Sequence, residues 1–331
     1  MKKTILLAAI LLVVQIGLVV ALTIGTKDTD NSKPNLPLLG FTPDAVTGLT
    51  ITGPEKDQVV LQKNGNVWML PDFFGAPASA EQVTALLTRL AEFKQGFAVA
   101  TTKAAAKRFK VADDTFERHV VIKAGDKEVG DLYVGTSPGF RQIHVRKAGS
   151  DAVVAVELST FELETGAEKW LDKNMFRIKE EDIERISFPD FVLEKKDKSW
   201  QLADLKAGEV TDAKAASDLV DKVSDLMVQS VIAPKEAEPL FAKPEALHYS
   251  ITRKGGGVAE FRFAKAEGDY YVLKQSERNL YCKVHNLLVS ALLKVNRESL
   301  IAKAKPASQE KTEAKAITPE KTAEGPAKST E

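Results

Sequence analysis

The sequence predicts an α+β chain: antiparallel sheets with helices packed on them, as a tandem duplication behind one N-terminal transmembrane helix. Three observations predict it. The chain repeats itself at an offset near 130 residues. Each copy is punctuated by short polar turns, which join antiparallel strands but are too short for parallel crossovers. Each copy also carries one helix-period apolar stripe.

The first element is the membrane signal. Lys2 and Lys3 precede an uncharged run from Ile5 to Ile24, interrupted only by Gln15, Gly17 and Thr23. Twenty helical residues span roughly 30 Å, the thickness of a bilayer core, whereas a signal-peptide core is about 7–15 residues long. The run therefore reads as a retained anchor (residues 1–25), with the lysines holding the N-terminus in the cytoplasm and everything after residue 25 outside. The alternative is cleavage after Ala21, where Val19-Val20-Ala21 offers small residues to a peptidase and would release a soluble exported protein. Residues 26–39, polar with Pro34 and Pro37, form a linker. Residues 302–331, rich in Ala, Lys, Glu, Pro and Thr with Ile317 as the only large apolar side chain, form a tail expected to be disordered.

Between them lie two copies, residues 40–172 and 173–301. VVLQKNGNVWML starting at Val59 meets FVLEKKDKSWQL starting at Phe191, with Val60, Leu61, Lys63, Trp68 and Leu70 matched at an offset of 132. Five identities in twelve exceed the roughly one that composition supplies. The register continues. His119, Ile122, Leu132 and Val134 meet His248, Ile251, Phe261 and Phe263 at 129, and Val46, Leu49 and Ile51 meet Ile183, Ile186 and Phe188 at 137. The shifts fall at Gly, Pro and Asp, where surface loops accept insertions.

Within each copy a short alternating strand comes first (Val46-x-x-Leu49-x-Ile51). A hairpin follows, turned at Asn64-Gly65 in the first copy and at Asp197 in the second. An amphipathic helix is next, carrying Val83, Leu86, Leu87, Leu90 and Phe93. Ser79 with Gln82 three residues on spells a capping box, and Asp212 takes the cap position in the second copy. A second hairpin turns at Gly125-Asp126, or at Gly255-Gly256-Gly257. Two more strands follow, then a closing helix predicted over 159–170 in the first copy and 287–295 in the second.

Composition narrows the function. With 46 basic and 46 acidic side chains the net charge is zero, which argues against a nucleic-acid partner. The single Cys282 excludes an intramolecular disulfide or CxxC site, and its alternating apolar strand predicts burial. His119, His144, His248 and His285 show no metal-ligand spacing and read as strand histidines. Gly135-Thr136-Ser137-Pro138-Gly139 lacks the phosphate-loop pattern and reads as a turn. Glu180-Glu181-Asp182-Glu184 is not a calcium loop and reads as a solvated face. Trp68 and Trp200 read as core anchors. The pattern thus calls for no catalytic residue, no metal and no cofactor.

The chain resembles a bacterial family known only as domain of unknown function 4340. The likeness rests on the single span, on Leu36-Pro37-Leu38-Leu39-Gly40-Phe41 ahead of Val46, and on Trp170 to Phe176 ahead of Ile183. It also rests on the Trp68-x-Leu70 hairpin end, Leu132-Tyr133-Val134-Gly135, and Tyr270-Tyr271-Val272 followed by Leu280-Tyr281. Gly135 meets Ala264 in the second copy, a departure from that pattern. The resemblance implies an envelope protein encoded beside ABC transporters of the gliding-motility auxiliary type, with no established catalytic residues to carry over. The expected function is that of a non-enzymatic, membrane-anchored periplasmic accessory or binding component of an ABC-transporter-like complex. A periplasmic peptide-, glycan- or lipid-binding module is the alternative. An envelope enzyme, the third reading, would need a pocket holding two carboxylates or His with Ser or Asp.

Overall fold

A computed structural model describes residues 35–302, together with the single position Gln15. The rest of the expected anchor, residues 26–34 of the linker, and the tail from 303 onward lie outside the described residues. Among the described residues no helix is long and apolar enough to cross a membrane.

The α+β class stands: the described chain forms two eight-stranded antiparallel sheets and six α-helices. The first half holds β1 (Gly48–Thr52), β2 (Gln58–Asn64), β3 (Val67–Leu70), β4 (Ala76–Pro77), β5 (Val111–Ala112), β6 (Thr115–Phe116), β7 (Arg118–Ala124), β8 (Lys127–Val134), β9 (Gln142–Lys147) and β10 (Val153–Glu157). Its sheet runs β10-β9-β8-β7-β1-β2-β3-β4, with β5 and β6 as a separate ribbon. The second half holds β11 (Ile183–Ser187), β12 (Val192–Lys196), β13 (Ser199–Leu202), β14 (Ser230–Ile232), β15 (Leu247–Arg253), β16 (Val258–Lys265), β17 (Tyr270–Gln275) and β18 (Tyr281–His285). Its sheet runs β13-β12-β11-β15-β16-β17-β18-β14. Seven strands thus follow the same order in both sheets. The eighth differs: β4 extends the β3 edge of the first sheet, and β14 the β18 edge of the second.

The turns follow backbone sterics. Gly65 and Gly125 take positive φ (59° and 60°) between paired strands, where a side chain would be strained. Asp197 takes the same conformation (φ 58°) in the equivalent β12–β13 turn, which Asp tolerates better than most residues.

Helix α1 (Ala80–Glu92) buries Val83, Leu86, Leu87 and Leu90. Ser79 caps it by accepting from the Gln82 N–H at 3.3 Å. The expected capping box is only half made, because the Ser79 N–H donates instead to the Trp170 carbonyl at 2.7 Å. Helices α2 (Lys103–Arg108) and α3 (Ala167–Trp170) complete the first half. In the second, Asp212 caps α4 (Ala213–Ser224) by accepting from Lys214 and Ala215, and its own N–H donates to the Leu300 carbonyl at 2.8 Å. The same tie therefore closes each half: a helix-capping residue bonded to the segment that ends the half. Helices α5 (Pro234–Phe241) and α6 (Asn286–Leu292) follow.

Two expected helices are shorter than the apolar spacing suggested. The stretch 159–170 is a 3-10 turn at Thr160–Glu162 and then α3, with Gly166 at the N-cap of the latter. Ser159 and Glu162 satisfy each other's backbone groups and end the first turn locally. The stretch 287–295 is α6 followed by a 3-10 turn at Arg297–Leu300, which Asn296 starts with its own capping box. Strands β4 and β14, the β5–β6 ribbon, α2 and α5 carry no apolar period long enough to be read from sequence.

One buried cluster runs through both halves, from Leu38 to Leu300. In the second half it is aromatic. The Tyr249 ring stacks on Phe188, Phe261 and Phe263 at centroid distances of 5.1, 4.9 and 5.8 Å. The Tyr249 hydroxyl is buried without a hydrogen-bond partner among the described residues, and burial pushes its pKa up. Tyr249→Phe keeps the stack and removes the orphan polar atom. It is expected to raise stability by about 1–3 kcal/mol, read as a higher denaturant midpoint with an unchanged slope.

Candidate functional site

The pleat of β7, β8 and β9 sends alternate residues to opposite faces. Val120, Ile122, Leu132, Val134, Ile143 and Val145 face the main core. His119, Tyr133 and Arg146 share the other face and sit side by side, because the register pairs His119 with Tyr133 and Tyr133 with Arg146. Helix α2 and the β5–β6 ribbon pack over this face through a small cluster of Ala106, Val111, Ala112 and Val153, with Phe109 and Tyr133 against it.

The row is tightly bonded. His119 Nε2 lies 2.7 Å from Asp131 Oδ1, and its ring stacks on Tyr133 at 4.4 Å. Arg146 is buried, with its guanidinium 4.8 Å from the Tyr133 ring centroid. It donates to the Val111 carbonyl at 2.6 Å, to the Ser150 carbonyl at 2.9 Å, and to Asp113. Burial, and then the charges of Asp113 and Asp131, push the Tyr133 phenol above its ordinary pKa. The row thus holds a neutral phenol between a histidine bonded to Asp131 and a guanidinium paired with Asp113. Arg146 also lines a cleft of about 340 Å³ with Lys103, Lys107, Asp113, Asp114 and Asp151.

His144 is buried beside this row. Its Nδ1 lies 3.1 Å from Thr136 Oγ1 and its ring stacks on Phe109 at 4.2 Å. Thr136 belongs to the loop that begins at Gly135. That loop is a turn, tied by the Ser137 hydroxyl donating to the carbonyls of Gly139 and Gln142, both at 2.6 Å. Gly135 itself has a packing role invisible in the sequence: a Cβ there would sit 2.0 Å from the Phe109 carbonyl oxygen.

The same register in the second sheet gives different chemistry. His248 faces Arg262, and Arg262 faces Lys274. Arg262 pairs with Glu245 and lies 5.8 Å from the Phe241 ring of α5. Lys274 Nζ donates to the Tyr281 hydroxyl at 3.0 Å, and His248 is exposed. The matched histidines therefore share a strand position and nothing of their surroundings.

The remaining sequence candidates are dispersed. His285 caps α6, its Nδ1 accepting from the Leu287 N–H at 3.1 Å. Cys282 is buried, and that burial pushes its thiol up to about 12. It should stay unmodified by a thiol reagent at neutral pH until the chain is unfolded, which a time course of labelling mass checks. Glu180 accepts from Trp200 Nε1 at 2.9 Å and lies 3.7 Å from Lys195 Nζ. Glu180 and Lys195, with Arg177, Lys179, Asp221 and Asp225, line a mostly charged cleft of about 840 Å³ that also holds Ile178 and Ser224. Arg177 pairs there with Asp225 at 3.0 Å. Among the described residues no group of three or more His, Cys, Asp or Glu side chains is placed to hold a metal. Trp68 and Trp200 are buried. A groove of about 490 Å³ beside α1 is lined by Leu86, Arg89, Phe161, Glu162, Lys169 and Trp170.

Electrostatics also fasten the β13–α4 loop. Arg297 bonds Asp204 at 3.1 Å and Glu209 at 2.5 Å, and this hydrogen bond holds the Glu209 carboxyl down to about 2. Because the folded value lies below the ordinary 4.5, this tie is fully present above pH 4.5 and is lost as pH falls through about 2. Carboxyl NMR should give a Glu209 midpoint near 2, moving toward the ordinary value in Arg297→Gln.

Residues 68–245 match a family model described as Domain of unknown function (DUF4340), a stretch that takes in parts of both sheets. No curated protein and no solved structure matches the chain.

Proposed function

The chain belongs to the DUF4340 family, and on that premise we propose that it is a non-enzymatic, single-pass inner-membrane protein whose periplasmic body is an accessory or binding component of an ABC-transporter-like envelope complex. In this reading Ile5 to Ile24 hold it in the membrane, and the body is one α+β domain duplicated in tandem.

The observation that carries the reading is where the reactive side chains go. His119 is held by Asp131, His144 by Thr136, and His285 by the first turn of α6. Cys282 lies in the core, and Glu180 is bonded to Trp200. Each of these groups is bonded or packed into the fold, and an envelope enzyme would have to work from the His119–Asp131 pair or from the carboxylate-lined clefts beside Arg146 and Glu180. The two sheets keep one strand order while their outer faces differ, as expected of a common frame presenting two different surfaces. The family resemblance supplies the transporter. Affinity purification of the full chain from solubilised membranes should recover an ATP-binding subunit and a membrane-spanning subunit. Repeated recovery of neither would remove the reading.

A second reading, a peptide-, glycan- or lipid-binding module, is favoured by the groove beside α1, where Phe161 stands exposed next to Leu86 and Trp170. If it holds, Phe161→Ala should abolish saturable quenching of tryptophan fluorescence by a pool of cell-wall peptides and glycans. Absence of any such quenching in the unsubstituted chain would dismiss it.

A further inference from the structure

The chain enters its folded body at one identifiable place. Leu36 and Leu38 run antiparallel to the segment after α1: Leu38 N–H donates to the Phe93 carbonyl at 2.7 Å, and Gln95 N–H to the Leu36 carbonyl at 2.9 Å. Pro37 bridges Lys94 between them. Followed backwards, the chain therefore leaves the domain beside Gly96 and Phe97.

That place is unusually apolar for a surface. Phe97 is 75% exposed, Val99 50% and Leu36 43%. Phe97 and Val99 flank Ala98, which lines a cleft against the β9–β10 hairpin while the two larger side chains stay out of it, and Val99 is fixed by its N–H donating to the Val153 carbonyl at 2.7 Å. That cleft, about 320 Å³ and lined by Leu38, Gly96, Ala98 and Gly149, sets the β9–β10 hairpin beside the segment. Lys94 and Lys147 stand exposed nearby, as do Glu92 and Asp151, so the rim has no net charge to speak of.

We propose that this patch is a membrane-contact surface, on which Leu36, Phe97 and Val99 enter the headgroup region of the bilayer that the N-terminal segment crosses. It rests on the anchored reading above. The argument is one of tether length. Between Ile24, the last residue of the apolar run, and Leu36 the chain can reach at most about 40 Å, and Leu36 belongs to the patch itself. An apolar rim at the point where a short tether leaves a bilayer has that bilayer as its nearest apolar phase. Phe and Leu are among the side chains that bury at the headgroup–acyl boundary. The balanced charge makes the contact apolar rather than ionic, so it should withstand salt.

The test uses the full chain reconstituted in vesicles of phosphatidylethanolamine and phosphatidylglycerol, some lipids carrying a nitroxide near the headgroup. An environment-sensitive dye is attached at Phe97→Cys. A control dye is attached at Phe140→Cys, which is 88% exposed at the opposite end of β9. Both positions are exposed and the native Cys282 is buried, so labelling leaves the core intact. Lipid quenching is expected to be severalfold stronger at position 97 than at 140, and unchanged by high salt. The double substitution Leu36→Ser and Val99→Ser should weaken it. Equal, weak quenching at both positions in protein that floats with the vesicles would overturn the contact surface while sparing the anchor. Protein that fails to float would overturn both.

Discussion

Gly135→Ala is expected to lower the stability of the folded chain by about 3 kcal/mol, at the upper end of what forced overpacking costs. The added methyl would lie 2.0 Å from the Phe109 carbonyl oxygen and 2.5 Å from that of Lys110, both backbone atoms that no rotamer change can move aside. Relief requires the segment after α2 to lift off the sheet. That breaks the bond from the Thr136 N–H to the Phe109 carbonyl at 2.8 Å and loosens the stacking of Phe109 on His144. The matched position supplies an internal control. Ala264 is buried in the second sheet with its methyl accommodated, so Ala264→Gly should cost only about 1 kcal/mol, the price of backbone freedom. Denaturant titration of the two variants would show the asymmetry. Equal small losses would mean that α2 is not held as closely as the structure has it.

The second large effect concerns the paired tryptophans. Trp68→Ala and Trp200→Ala should each cost about 3–5 kcal/mol, the usual range for emptying a buried indole site. Both side chains are buried on the strand leading into the capped helix of their half. Their phenylalanine variants should separate them. Trp200 Nε1 donates to the Glu180 carboxylate, so Trp200→Phe should lose about a further 1 kcal/mol for that bond. Because one buried cluster runs through both halves, loss of either indole should lower a single unfolding transition rather than split it. Calorimetry showing two transitions, with only one moved by each variant, would contradict that continuity.

These two cases show what the sequence makes legible. Trp68 and Trp200 declare themselves through self-similarity and period-2 alternation, signals that survive without a structure because burial is set by local pleat. The same holds for the α1 and α4 stripes, for Cys282, and for the Gly65 and Gly125 turns. Gly135 is different: its constraint comes from Phe109, just past the end of a helix too short to show an apolar period. Strands β4 and β14 are equally silent, since two or three residues carry no pattern. The row of His119, Tyr133 and Arg146 lies between. The alternation of β7 and β8 puts His119 and Tyr133 off the core face, but their neighbours follow only from hairpin register. The burial of Arg146 follows only from α2 and the β5–β6 ribbon lying over it. The half-made capping box at Ser79 has the same origin, for the Trp170 carbonyl that takes its N–H arrives from the other end of the half.

The proposed membership of a membrane complex is tested most directly by the particle that carries the chain. The full chain should be extracted from inner membranes in mild detergent and its particle mass measured. The expected particle is heavier than the 36.1 kDa chain by the masses of an ATP-binding and a membrane-spanning subunit, with the chain's N-terminus intact at Met1. A lone chain of that mass in its detergent belt would contradict it, as would a soluble species beginning at Leu22.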